Sequence, residues 1–234
     1  MDHIREHRSL FAAREQRLLI AIARRLPRWI HSDHLTLLGL LSLLAAGAAF
    51  ANIPSSRWAL VVFVVALLAN WFGDSLDGTL ARVRCQPRPR YGYYVDHVID
   101  LAGVVTLVAG MAASGLMHVS VALAVMAAYG VVSAETFLAT HAVGVFRLSF
   151  AGIGPTELRM LLAAGAIAVA RDPWAEVAGR RLLLLDISGV IATTGLAIVF
   201  IASAIRNARA LYLAEPLPGR LVGSSSVSES RVSS

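Results

Sequence analysis

From His34 to Ser56, and again from Trp58 to Gly73, the chain carries no Asp, Glu, Lys or Arg. No other feature limits its fold so severely. A soluble domain rarely contains successive uncharged apolar runs of this length, whereas a bilayer core calls for about 20 apolar residues in each helix that crosses it. Over the whole 234 residues, 57% are hydrophobic and 15% charged, against roughly 25% charged in average soluble domains. These values exclude an ordinary soluble enzyme and predict an all-α, polytopic integral membrane protein.

Six transmembrane helices are expected. The first covers residues 32–53, opened by helix-capping residues. The second starts near Trp58 and runs into Asp74, and the third starts near Tyr91. The fourth covers about 119–139, the fifth runs from Pro155 to about 170, and the sixth covers about 183–205. Proline suits the first turn of the fifth, and the abundant Ala, Gly and Ser let helices approach closely in lipid. Ahead of the spans, residues 3–26 interleave Leu10, Arg14, Arg17, Leu18, Ile22 and Arg25. That pattern predicts a basic amphipathic helix on the membrane surface, with an ordinary solvated helix as the alternative. The chain thus divides into a surface helix (1–30), a six-helix domain (31–210) and a flexible serine-rich tail (211–234).

The first 25 residues have no compact apolar segment of the kind a cleavable signal needs. The lone Cys85 excludes an intrachain disulfide. With six spans both termini share a side, and Arg5, Arg8, Arg14, Arg17, Arg24, Arg25 and Arg28 make it the cytoplasmic one. Arg171, Arg180 and Arg181, on the opposite side, run against that bias. The net charge of +6 fits either this orienting role or a pocket for phosphate.

Four aspartates stand out against this background. Asp74 and Asp77 are three apart late in the second span, so they share a helix face; Asp96 and Asp100 are four apart early in the third. A short basic loop joins the two helices, which are then antiparallel neighbours with both acidic faces at one depth. A carboxylate at the centre of a membrane helix costs about 2.5–3.5 kcal/mol on insertion scales and less toward the interface. Clustered carboxylates also repel one another. An ion-pair network with Arg82 and Arg84 is the plain compensation. A pair of divalent cations is the sharper one, because hard ions such as Mg2+ prefer carboxylate oxygen and paired metals serve in-line phosphoryl displacement. Gly78 and Gly92 leave backbone open to a ligand.

The pattern Asp74-x-x-Asp77-Gly78-x-x-Ala81-Arg82, followed by Gly92-x-x-x-Asp96-x-x-x-Asp100, resembles the signature of the CDP-alcohol phosphotransferases, membrane enzymes of phospholipid synthesis. Nine residues separate Arg82 from Gly92, "VRCQPRPRY", one more than the usual pattern, in a loop where insertions are tolerated. The resemblance implies a six-helix core over about residues 30–210 and a divalent cofactor, Mg2+ or Mn2+, as two ions. It implies that Asp74, Asp77 and Asp96 hold the metals, and that Asp100 is the general base and also touches a metal. Asp74, Gly78, Ala81, Arg82 and Gly92 would line the CDP site. The implied reaction is attack of an alcohol hydroxyl on the β-phosphate of a CDP-linked donor, with CMP leaving. The implied partners are that donor, the alcohol acceptor, membrane lipids and a second copy of the chain, with no nucleic acid.

A second stretch, "GIGPTELRM", places Arg159 one turn into the fifth span, with Arg147 just ahead of it. Both arginines are candidates for binding a phosphate; the plain alternative is interfacial anchoring. Glu157 caps the helix or pairs with Arg159, and Glu135 is read as a structural partner inside the membrane. His97, beside Asp96, either contacts substrate or packs between helices. Trp29, Trp58, Trp71 and Trp174 read as interface anchors. The preferred donor is CDP-diacylglycerol with a small polar alcohol as acceptor. An amino-alcohol phosphotransferase using CDP-choline or CDP-ethanolamine and diacylglycerol is the alternative. A divalent-cation transporter would need acids spread through the membrane depth, and an idle scaffold would need no intact motif.

Overall fold

A computed structural model of the protein describes residues 12–143 and 155–215. Its elements are α1 (Ala12–Arg25), α2 (Ser32–Ala51), α3 (Arg57–Val83), α4 (Pro89–Ala113), α5 (Val119–Val143), α6 (Pro155–Arg171), a hairpin of β1 (Trp174–Val177) and β2 (Arg180–Leu183), and α7 (Leu184–Ala214). Helices α2, α3, α4, α5 and α7 are long and apolar enough to cross a membrane. Helix α6, with 17 residues, is the shortest of the six that were expected to span. The chain is therefore an α-helical integral membrane protein, as its composition requires.

Local chemistry sets the helix ends. The Ser56 hydroxyl accepts the Trp58 N–H at 3.3 Å and starts α3. Pro89 occupies the first turn of α4. The segment between α6 and α7, expected as a loop over 171–181, instead folds into an antiparallel hairpin pairing Trp174 with Leu183 and Val177 with Arg180. Ala178 and Gly179 both take left-handed conformations (φ 51° and 74°), the backbone of a two-residue turn whose twist matches the strands.

Helix α2 packs against both α3 and α4, α6 packs on α3, and α5 packs on α7. Phe50 of α2 meets Phe63 of α3 edge-on, with centroids 5.1 Å apart, both side chains fully buried. Two glycine contacts let the backbones come this close. A Cβ at Gly110 would lie 2.1 Å from the Gly47 carbonyl oxygen, and one at Gly73 would lie 2.6 Å from that of Leu35. Neither leaves room for a methyl group, so α2 crosses α4 and α3 backbone to backbone, as small residues allow in lipid.

Helix α1 lies across the end of the bundle where α2 begins and α3 ends. Its Leu19 and Ala23 pack with Leu35, Leu76 and Leu80. The Arg84 guanidinium, just past α3, donates to the carbonyl oxygens of Leu26 (3.2 Å), Pro27 (2.8 Å) and Arg28 (3.4 Å), and also to that of Ile30. These carbonyls belong to the α1–α2 connection, which one side chain thus ties to the end of α3. Arg88 pairs with Asp33, joining the start of α4 to the start of α2.

Candidate active site

At this same end α3 brings Asp74 and Asp77 to one face. Asp77 is buried; its Oδ2 accepts the Thr36 hydroxyl at 2.8 Å and its Oδ1 accepts the Gly78 N–H at 2.5 Å. The Ser32 hydroxyl donates to the Asp77 carbonyl oxygen at 2.8 Å. One turn of α2 thus supplies two hydroxyls that fix Asp77 without cancelling its charge. Asp74 is held differently: the Arg159 Nη2 donates to its Oδ2 at 2.6 Å, while the Arg159 Nε donates to the Asn70 Oδ1 at 2.8 Å. Arg159 comes from α6 and its side chain is only 15% exposed, so this pair is shielded more than a surface salt bridge.

Asp96 of α4 lies within electrostatic reach of Asp77, as does Asp74. Helices α3 and α4 therefore do bring three of the four expected acids into one neighbourhood. Asp100, a turn further along α4, is exposed and acts electrostatically on Tyr129 of α5. The remaining motif positions lie around the same helix ends. Gly78 faces open space apart from the Arg82 guanidinium, which would be 3.6 Å from an added Cβ, and an added Cβ at Gly92 meets nothing within 4 Å. Ala81 is half-buried, and Arg82 is exposed and donates to the Thr79 hydroxyl at 3.2 Å. The ring of His97 stacks on Tyr93 (4.2 Å) and meets Phe137 edge-on (5.2 Å), with Nδ1 2.6 Å from the Tyr93 carbonyl oxygen. Arg147 lies outside the described residues. Glu135 accepts the Asn207 amide at 2.7 Å, an α5–α7 tie of the structural kind expected for it.

Ser32, Thr36, Asn70 and Tyr129 were not expected at the site. Asn70 had a visible signal: it sits one helical turn before Asp74, on the same face. Thr36 and Ser32 had none, because nothing local places α2 against α3.

The donors suit a hard divalent ion. They are carboxylate oxygens carried by two adjoining helices, and an ionised carboxylate offers about four lone-pair positions, so the bonds from Thr36, Gly78 and Arg159 leave acceptor capacity. As the side chains stand, no three His, Cys, Asp or Glu residues among those described converge on one point closely enough to ligate a single ion. Asp74 instead carries the Arg159 guanidinium.

The family model described as CDP-alcohol phosphatidyltransferase matches residues 29–205. The chain belongs to the CDP-alcohol phosphatidyltransferase family. As such it is a transferase of substituted phosphate groups, and every motif aspartate falls inside the matched region. The fold is also similar to that of the crystal structure of Mycobacterium tuberculosis phosphatidylinositol phosphate synthase (PgsA1) with CDP-DAG bound. The TM-score is 0.54 at 22% identity, covering 87% of this chain and 96% of that one. That likeness establishes the shared fold. No curated protein is detectably similar to the chain in sequence.

Proposed function

We propose that this phosphatidyltransferase moves a phosphatidyl group from CDP-diacylglycerol to the hydroxyl of a small polar alcohol and releases CMP. The observation that carries the reading is the joining of Asp74, Asp77 and Asp96 by electrostatics, at the mouth of a helix pair, in a chain of this family. The likeness to a fold-mate whose structure holds CDP-DAG supports the choice of donor.

In this reading the acceptor oxygen attacks the β-phosphorus of the donor. Its bond to phosphorus forms as the bond from that phosphorus to the CMP oxygen breaks. Asp100 takes the hydroxyl proton as general base, and CMP departs with the bonding electrons. Asp74, Asp77, Asp96 and Asp100 would hold the divalent ions, Mg2+ or Mn2+, which when bound supply positive charge against the diphosphate. Gly78, Ala81, Arg82 and Gly92 would line the cytidine diphosphate. Arg159 and, from its place in the sequence, Arg147 would bind phosphate, with His97 beside the acceptor.

The reading also has α6 as a sixth span: its 17 residues rise about 26 Å, near the lower limit for crossing. Helix α1 would lie on the membrane surface, within residues 1–30, and 31–210 would form the catalytic domain ahead of the expected tail at 211–234, of which 211–214 instead complete α7. The site would face the cytoplasm of a bacterial cell, in a homodimer.

Purified protein with Mg2+ or Mn2+ would be offered CDP-diacylglycerol with a panel of alcohols, and separately CDP-choline or CDP-ethanolamine with diacylglycerol. We expect CMP only from the first set and from one acceptor. CMP from the second set would replace the donor; none from any pair would refute the reaction.

A further inference from the structure

We propose that Asn70 is a positioning residue that holds the Arg159 guanidinium across Asp74, and so decides where the positive charge of α6 stands in the site. The inference rests on the reading above for the reaction, and on geometry alone for the contact.

Asn70 is 4% exposed, within a membrane-spanning helix. A polar side chain so placed must satisfy both ends of its amide. Its Nδ2 donates to the Gly39 carbonyl oxygen of α2 at 3.1 Å. A carbonyl can only accept, so it fixes the amide's orientation and turns Oδ1 toward α6. There Oδ1 accepts the Arg159 Nε at 2.8 Å, while Arg159 Nη2 reaches Asp74 at 2.6 Å. Asn70 and Asp74 are one turn apart on α3, so two acceptors from consecutive turns bind adjacent edges of one rigid plane. A carboxylate alone would leave the guanidinium free to pivot about a single contact. With Asn70 the plane is set, and three of its five N–H donors remain for an anionic group. Asn70 thus links α2, α3 and α6.

The test is a double-mutant cycle on the full-length protein in lipid nanodiscs, with Asn70→Ala, Arg159→Ala and the double variant. Both CMP release and thermal unfolding are measured. Asn70→Ala is expected to lower kcat/KM about tenfold and Arg159→Ala about a hundredfold, with the double variant within about twofold of Arg159→Ala. Losses that multiply to about a thousandfold would show that Asn70 acts independently of Arg159 and overturn the inference.

Asn70→Asp separates positioning from support. It keeps an acceptor for Arg159 but loses the donor to Gly39, so it should retain most of the activity that Asn70→Ala loses. If it falls as far as Asn70→Ala, the residue serves only the α2–α3 contact and the proposal fails. Should wild type release no CMP from any pair, the reaction is misassigned, and the unfolding cycle decides the contact by itself. Non-additive shifts uphold it and additive shifts reject it.

Discussion

Gly73→Ala tests the feature on which the site's geometry depends, the close crossing of α2 and α3. The new methyl carbon would lie 2.6 Å from the Leu35 carbonyl oxygen and 2.9 Å from the Gly39 nitrogen, where ordinary contact begins near 3.4 Å. Both neighbours are helix backbone, so neither can rotate away. Relief requires α2 and α3 to part by about 0.8 Å. If the parting lies along the bonds between them, the 3.1 Å Asn70–Gly39 bond passes beyond hydrogen-bonding range and the 2.8 Å Thr36–Asp77 bond reaches its limit. Overpacking costs about 1–3 kcal/mol and each buried hydrogen bond lost about 1–3 kcal/mol. Replacing glycine by alanine in a helix returns roughly 1 kcal/mol. The net is on the order of 1–5 kcal/mol, a fall of roughly 3–15 °C in Tm for a chain of this size, with CMP release reduced as well because Asp77 and Arg159 lose their supports. Gly195→Ala is the control, since a Cβ there meets nothing within 4 Å; it should melt at or above the wild-type temperature. Thermal unfolding in detergent, read beside CMP release, checks both variants. A Gly73→Ala protein that melts within about 2 °C of wild type and turns over normally would refute the close-crossing argument.

Asp100→Asn should still bind the CDP-linked donor in equilibrium dialysis but lose about 10²–10⁴-fold in turnover; normal turnover would remove Asp100 as the base. Asp77→Asn should shift the Mg2+ titration of activity to higher concentration, and an unchanged titration would exclude it from holding the ion. Thr36→Val keeps the shape and removes the hydroxyl on Asp77, a loss of about 1 kcal/mol or more, seen as a several-fold fall in kcat and a fall of about 2–4 °C in Tm. Arg84→Ala unties the α1–α2 connection from the end of α3, and hydrogen exchange over residues 12–30 should rise while that of α3 stays protected.

The spans were legible because their signal is additive: every residue of a lipid-exposed helix must be apolar, so length and composition suffice for α2 through α5 and for α7. The acid pairs were legible for a similar reason, since spacings of three and four on a helix put Asp74 beside Asp77 and Asp96 beside Asp100 whatever else happens. The hairpin was not, because Ala178-Gly179 lacks the Asn-Gly or Asp-Gly pair that usually marks such a turn, and its charged strands look like any interfacial loop. Helix α7 runs to Ala214, past the expected end at 205, because Ala202 through Leu213 continue the pattern with arginines on one side only. The supports of the site were the least legible part. Thr36, Asn70 and Arg159 belong to three helices, and their meeting follows from how α2 and α6 pack on α3, a tertiary fact with no local signature.

The partners chosen by the nearby arginines separate a structural ion-pair network from a site built to receive charge. A network meant only to neutralise the acids would set a cation on the most buried of them. Here Arg82 donates to Thr79, Arg84 to the carbonyls of the α1–α2 connection, and Arg88 to Asp33. The acid that lies deepest, Asp77, is held by hydroxyls from α2 and a backbone N–H. Neutral donors orient a carboxylate without setting a countercharge against its own charge. Between charges a few ångströms apart, that charge is worth several kcal/mol at the effective dielectric of about 20 found near protein surfaces. Asp77 therefore sits under the repulsion of Asp74 and Asp96 without a guanidinium of its own among the described residues. Such an arrangement raises the free energy of the unliganded protein, and an incoming positive charge relieves it. The same logic explains why Arg159 engages Asp74 rather than Asp77. On Asp74 it lowers the total repulsion, while the buried Asp77 keeps only neutral donors. Moving the positive charge inward, by Thr36→Lys, should stabilise the protein to heat yet abolish its response to divalent ions. A variant that kept both its metal dependence and its turnover would show that the charge on Asp77 does no more than shape the helix end.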